Sequence, residues 1–383
     1  MVRFLPYFSS HTLTPPLGHV FVLSLTSPET QDLDMRRPVR TVALEPGFSQ
    51  HTTRAFVCGG LSGSLIHRER GWLGPRETVL HTGEGPIWQV RWRGRLIAWA
   101  NDIGVKIYDT ASRSRITFID RPTDSPRADL FRCTLHWQDD ATLLIAWADL
   151  IKVARVRART TGPNAGASDA PSLFVEITAV FQLDCMAAGI LPHPMPSGPS
   201  VVYDDHRSVN SQQSKTHATR TLTSLLVLAY YPPDTSILRA DDAPADTSTQ
   251  KRKLADRPEL RIISRSGEEL ANDALSVAGY QSWQCNDYAL AKVDGTNPET
   301  DAGGDQCYVV LSPRDIVIAR PRDARDHIAW LVERERYEEA LEGIEELSRD
   351  SKDPRDEELN AVAIGTKYVD YLIRQGASCS GIG

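Results

Sequence analysis

The sequence lacks most signatures of chemistry. Its six cysteines (Cys58, Cys133, Cys185, Cys285, Cys307 and Cys379) are far apart, with no CxxC pair, which argues against a zinc site and a disulfide framework. Buried free thiols in a reducing compartment are the expectation. Ten histidines show neither HExxH nor any other ligand spacing, so no metal and no cofactor is assigned. No apolar run approaches the roughly 18 to 20 residues that cross a bilayer as a helix, and Pro15 and Pro16 interrupt any signal-peptide core. A cytosolic protein, or one peripheral on the cytosolic face of a membrane, is expected. Basic surface is also scarce. The net charge of −7 is matched by the segment Arg322 to Glu358, with 14 acidic and 7 basic residues, so the remainder is near neutral and no nucleic-acid partner is expected.

What is present is a repeated strand pattern. Gly83 to Ile119 contains four short runs, Ile87–Trp92, Leu96–Ala100, Val105–Asp109 and Ile116–Ile119, separated by turn residues. This is one antiparallel meander, apolar on both faces, which must stack against further layers. Leu96-Ile97-Ala98-Trp99-Ala100 recurs 48 residues later as Leu144-Ile145-Ala146-Trp147-Ala148. Trp92 has its counterpart in Trp137, and both copies continue into strands carrying Lys106 and Lys152. Four strands per unit at this spacing predict propeller blades, slightly long for the type.

Taken in order, residues 1–19 are left unassigned. Residues 20–320 are expected to form an incomplete WD40-like β-propeller of about four to five blades, opening partway through a blade at Val20–Leu25 and Gln31–Met35. The next blade uses Val39–Leu44, Ala55–Cys58, Ser64–Arg68 and Thr78–Leu80. Those after the template use Cys133–Trp137, Thr142–Trp147, Ile151–Val156 and Leu173–Phe181, then Met186–Leu191, Leu222–Tyr231 and Leu260–Ser264. A last one uses Ala274–Val277, Tyr288–Lys292, Cys307–Leu311 and Asp315–Ala319. Polar insertions are expected near 160–172, 192–220, 241–258 and 294–306. At Pro321 the period changes from two to about 3.6. Residues 321–376 are expected to start an α-solenoid of three helices, the third C-capped at Gly376, with a tail at 377–383.

Candidate chemistry weighs lightly against packing. The run Gly59-Gly60-Leu61-Ser62-Gly63 precedes another strand, whereas a phosphate loop needs a helix after it. His136 near Asp139 and Asp140 reads as solvated polar residues rather than an acid–base pair. Ser312-Pro313-Arg314-Asp315 is a turn, with no GxSxG elbow around any serine. Trp88, Trp92, Trp99, Trp137 and Trp147 suit inter-blade packing better than a ligand cage. The acidic run Glu333 to Glu358 reads equally as a partner surface or as a solvated helix face. Lys251-Arg252-Lys253 would add only about 3 kcal/mol at an anionic membrane, so a solvated loop is preferred. No catalytic, cofactor-binding or metal-binding residue is nominated.

Four longer runs carry a resemblance. HTGEGPI at His81–Ile87 leads into VRWRGRLIAWANDIGVKIYD at Val90–Asp109, Leu311 to Val317 reads LSPRDIV, Asp326 to Leu331 reads DHIAWL, and Arg336 to Leu341 reads RYEEAL. Together they resemble the family of vacuolar protein sorting-associated protein 41, a subunit of the HOPS tethering complex. The resemblance implies a β-propeller followed by an α-solenoid in a non-enzymatic scaffold for vesicle transport and fusion at the vacuole or lysosome and late endosome. It implies as partners the other HOPS subunits, a Rab-family GTPase and the adaptor-complex-three pathway, with peripheral membrane contact. Members of the family start with further propeller strands and continue through a long solenoid, often to a RING-like zinc domain. This chain is therefore expected to be a fragment or a truncated gene model. A vesicle-coat or intraflagellar-transport subunit would share the architecture, and a propeller hydrolase would need a polar channel residue that the sequence does not nominate.

Overall fold

The computed structural model describes residues 2–3, 18–24, 28, 30–159, 172–193, 224–233, 254–264, 266–293, 307–320, 324–350 and 361–379. The chain divides into two compact units. One holds residues 1–195, 201–292 and 309–317, and the other holds the remainder, including the helices.

Among the described residues the strands form six antiparallel sheets, each a meander in chain order. The first joins β1 (Val2–Arg3), β2 (His19–Ser24) and β3 (Thr30–Asp34). The second joins β4 (Thr41–Leu44), β5 (Phe56–Gly59), β6 (Leu65–Gly71) and β7 (Gly74–His81). The third joins β8 (Gln89–Arg93), β9 (Leu96–Ala100), β10 (Gly104–Asp109) and β11 (Ser114–Asp120). The fourth joins β12 (Thr134–Trp137), β13 (Thr142–Trp147), β14 (Leu150–Ala158) and β15 (Leu173–Gln182). The fifth joins β16 (Met186–His193), β17 (Ser224–Tyr230), β18 (Glu259–Ser264) and β19 (Glu269–Ala274), and the last joins β20 (Ala289–Val293), β21 (Cys307–Leu311) and β22 (Ile316–Ala319).

The repeated strand shows why the sheets stack. All five residues of β9 are buried, so both faces must be covered. Ile97 and Trp99 pack with Val57 and Leu65 of the preceding sheet, while Leu96, Ala98 and Ala100 pack with Leu135, Leu143 and Ile145 of the following one. One step on, Ile145 and Trp147 face back, and Leu144 and Ala146 pack with Leu225 and Val227. Period-two alternation thus serves two interfaces from each strand. The two copies differ in one detail. Lys106 pairs in register with Trp99, whereas Lys152 pairs with Ile145. The offset is two residues, which leaves every side chain on its own face.

Several expectations are corrected. Ala274–Val277 does not open the last sheet: Ala274 ends β19, the outer strand of the fifth sheet. The segment Glu269–Ala274 is exposed along its whole length, so it carries no apolar alternation to read. Val2–Arg3, within the unassigned start, pairs with Leu23 and Ser24. Pro192 and His193 continue β16 and His193 is buried, so the insertion expected from 192 does not begin there. Within 241–258, Pro258 accepts a hydrogen bond from Leu275 N–H at 2.8 Å. Residues 160–171, 194–220, 241–253 and 294–306 lie outside the described residues, as does Lys251-Arg252-Lys253.

The second unit contains helices α1 (Ala324–Glu333), α2 (Tyr337–Asp350) and α3 (Ala361–Cys379). Ile328 and Leu331 of α1 pack with Ala340 and Ile344 of α2 and Ile364 of α3. Glu335, at φ 61°, ends α1, and Arg336 N–H donates to Leu331 carbonyl at 2.9 Å, a Schellman-type closure with glutamate where glycine is usual. Gly376 is not a cap: α3 runs through it to Cys379. One internal glycine costs only about 1 kcal/mol, which does not force an end.

Candidate functional site

Two polar regions lie within the β unit. The first is the turn between β7 and β8, in the HTGEGPI run. Gly83, Glu84 and Gly85 have φ values of 82°, 61° and 81°, three consecutive left-handed residues that two glycines make affordable. A Cβ on Gly85 would collide with the Asp102 carboxylate, which accepts from Trp88 Nε1 at 2.6 Å. This fold of the turn aims Glu84 at Lys106. Lys106 is 1% exposed, donates Nζ to Glu84 Oε2 and lies 4.3 Å from the Phe118 ring centroid. Asn101 donates to the same Glu84 oxygen at 3.0 Å and accepts from Ile103 and Gly104 N–H at 3.1 Å. The Lys106 hydrogen bond holds the Glu84 carboxyl below its ordinary range against the effect of burial, with Asn101 adding to it. Every member has a partner, so the cluster is a lock between two sheets rather than a reactive centre.

The second region is a cavity of about 160 Å³ where β8, β12, β16 and β20 approach one another. These are the first strands of their sheets, each with one edge unpaired in its own meander. Side chains of adjacent sheets cover part of those edges. Gln89 Oε1 accepts from Leu135 N–H, Arg91 Nε donates to Leu135 carbonyl at 3.1 Å, and Thr41 Oγ1 accepts from Val90 N–H at 3.0 Å. Arg132 donates to Asn286 carbonyl and its N–H reaches Asn286 Oδ1 at 3.0 Å. The lining holds Arg91, Arg132 and His136 and no carboxylate. Arg91 is exposed to solvent. His136 is not the solvated residue expected. It sits in the cavity wall, where burial and then the charges of Arg91, Lys292 and Arg93 push its pKa down to about 4. Asp139 instead accepts from Ala141 and Thr142 N–H at 2.8 and 2.7 Å, and Asp140 pairs with Arg93 at 2.8 Å.

The remaining sequence candidates resolve as packing or turns. Trp88, Trp99, Trp137 and Trp147 are buried and Trp92 is half-buried, not gathered in a cage. Gly59 to Gly63 connects β5 to β6, with Gly63 at φ 71°. Ser312 Oγ accepts from Asp315 N–H at 2.8 Å, closing the β21–β22 turn. Cys58, Cys133, Cys185 and Cys285 are buried free thiols and Cys307 is half-buried; burial is the leading cause that pushes Cys58, Cys185 and Cys285 up to about 12. Among the described residues no group of three His, Cys, Asp or Glu is placed to hold a metal ion. In the acidic run, Arg336 pairs with Glu339 at 2.5 Å and Tyr368 donates to Glu338, while 351–360 lie outside the described residues. Sequence reasoning missed the arginine-lined cavity, because Arg91 and Arg132 are 41 positions apart and meet only through inter-sheet stacking.

Comparison with known proteins bears on what this arrangement is. The family model for the Vps41 β-propeller, described as the Vps42 beta-propeller, matches residues 17–220 and 204–321. Vacuolar protein sorting-associated protein 41 homologs from Solanum lycopersicum and Arabidopsis thaliana are each 36% identical over 93% of this chain, covering 34% and 33% of their own length. The Homo sapiens homolog is 34% identical over 94% of this chain and 36% of its own. The chain thus spans about a third of the length of these relatives. Six meander sheets followed by helices, with a family match over most of the β unit, place the chain in the Vps41 β-propeller family.

Proposed function

We propose that the chain acts as a non-enzymatic scaffold subunit of a HOPS-type membrane-tethering complex in vesicle transport and fusion at the vacuole or lysosome and late endosome. The observation that carries this reading is the similarity to vacuolar protein sorting-associated protein 41 relatives over 93% or more of the chain. Its partners in this reading are the other HOPS subunits, a Rab-family GTPase and the adaptor-complex-three pathway, and it works peripherally on the cytosolic face of those membranes. Stacked sheets hold the connecting loops in fixed places, so binding needs no catalytic group. One loop offers an evident contact: the β6–β7 turn presents Trp72 and Leu73 at 98% and 94% exposure, more than loosely scattered surface apolar residues show. The helices begin an α-solenoid that links the β unit to the rest of the complex.

The test is retention of the purified chain on an immobilised late-endosomal Rab GTPase. Stronger retention on the GTP-loaded than on the GDP-loaded form is expected. Nucleotide-independent retention, or none, would favour a coat or intraflagellar-transport subunit of the same architecture.

A further inference from the structure

The β6–β7 hairpin carries a tryptophan and a leucine where the fold has no use for them. Gly71 pairs with Gly74, so Trp72 and Leu73 alone form the two-residue turn. Such turns favour Gly, Asn and Asp, which suit their backbone angles. Trp72 and Leu73 are 98% and 94% exposed, so they make almost no packing contact. An exposed indole beside an exposed leucine is unfavourable in water and adds nothing to the stability of the sheet. The hairpin beneath them is firmly held. Its strands pair in register from Leu65 and His81 up to Gly71 and Gly74, and Arg70 N–H donates to Thr53 carbonyl at 2.7 Å.

The charges behind the turn point to what covers it. Arg70 and Arg76 are both exposed. Arg70 pairs in register with Pro75 and Arg76 with Glu69, and successive positions of a strand face opposite sides, so an arginine stands on each face of the ribbon. Arg70 lies two residues before Trp72 and Arg76 three after Leu73, which sets them roughly 7 to 10 Å behind the turn at about 3.3 Å per residue. Glu69 is engaged by Arg76 at 3.8 Å and Glu77 by Arg68 at 3.5 Å. With three arginines against two glutamates between Arg68 and Glu77, the ribbon keeps a positive charge behind its apolar tip. A stable protein interface buries about 1,200 Å² or more in total, far beyond what a two-residue tip offers. An interfacial membrane contact needs only depth: its apolar part sinks about 5–10 Å into the boundary of headgroups and acyl chains, with basic side chains at the headgroup level.

We propose that the β6–β7 hairpin is a membrane-inserting tip: Trp72 and Leu73 enter the interface of a lipid bilayer, and Arg70 and Arg76 hold its anionic headgroups. The proposal rests on the peripheral membrane placement given above and assigns that contact a site. The arginine stems follow the apolar tip while their guanidinium groups stay at the level of the lipid phosphates. One tip of this size gives reversible attachment, and lasting attachment needs a second contact.

The experiment is co-sedimentation of the full chain with vesicles of phosphatidylcholine alone and of equimolar phosphatidylcholine and phosphatidylserine. Binding at least tenfold stronger to the anionic vesicles is expected. On those vesicles the double variant W72S with L73S is expected to bind at least tenfold more weakly, and R70Q with R76Q to fall about tenfold or more. The control L61S, which removes a half-exposed leucine from the β5–β6 turn, is expected to bind as wild type. The W72S with L73S protein is expected to melt at the wild-type temperature, because the replaced side chains pack against nothing. Tryptophan quenching by brominated phosphatidylcholine reads the insertion itself, and it is expected in wild type and largely lost in W72F. No wild-type binding to either vesicle, binding by W72S with L73S equal to wild type, or quenching that W72F leaves intact would overturn the proposal. The vesicles carry no protein, so the outcome is separate from retention on the Rab GTPase, which W72S with L73S is expected to keep. Loss of that retention with vesicle binding intact would overturn the membrane assignment and make the tip a protein contact.

Discussion

His136 shows how a single residue reports on its surroundings. Its imidazole is held neutral in the cavity wall, with a pKa pushed down to about 4 from about 6.5 in the unfolded chain. The unfolded state therefore takes up the proton first as the solution is acidified. The contribution to stability is complete above about pH 6.5, declines as the pH falls, and is lost once the pH passes through about 4. The full difference is up to about 3 kcal/mol, reduced by whatever screening water in the cavity provides. His67, His81 and His193 are also shifted down, in each case first by burial, so wild type alone does not isolate the effect. The difference in urea midpoint between wild type and H136Q does. It is expected to shrink between pH 6.5 and 4, and a constant difference across that window would contradict the placement of His136.

At the scale of an element, the β7–β8 turn is a lock whose two halves are unequal. Lys106 is 1% exposed, whereas the Glu84 side chain is 36% exposed. E84Q leaves an ammonium group stranded away from water, which costs about 3–5 kcal/mol for a buried pair broken from one side. K106M leaves Glu84 able to reach solvent and fills the lysine stem's space with an apolar chain, so a smaller loss is expected. Chemical denaturation of both variants checks the order, and K106M proving the more damaging would refute it. The turn also marks how far elements can be read from sequence. Strands buried on both faces, such as Leu96–Ala100 and Thr142–Trp147, were legible because apolar and aromatic residues crowd them and the pattern repeats. Glu269–Ala274 was not, because an exposed outer strand needs only backbone pairing, supplied by β18. Nor was the end of α3, since glycine is tolerated inside a helix that packing stabilises elsewhere. The Glu84–Lys106 contact and the Arg91–Arg132 cavity were likewise hidden: the first depends on how the β7–β8 turn folds back and the second on how separate sheets stack.

For the whole molecule, repetition is the organising fact. The central strands of the inner sheets, such as β9 and β13, bury both faces, so neighbouring sheets cohere by covering one another, and polar groups are left to the unpaired first strands and the connecting loops. Such an arrangement presents fixed surfaces without needing reactive groups, which is what the scaffold reading requires. The most direct test of that reading is affinity purification of the tagged endogenous protein followed by quantitative mass spectrometry. Recovery of the other HOPS subunits in near-stoichiometric amounts is the expected result. Recovery of coat or intraflagellar-transport subunits in their place, or of no subunits at all, would contradict it.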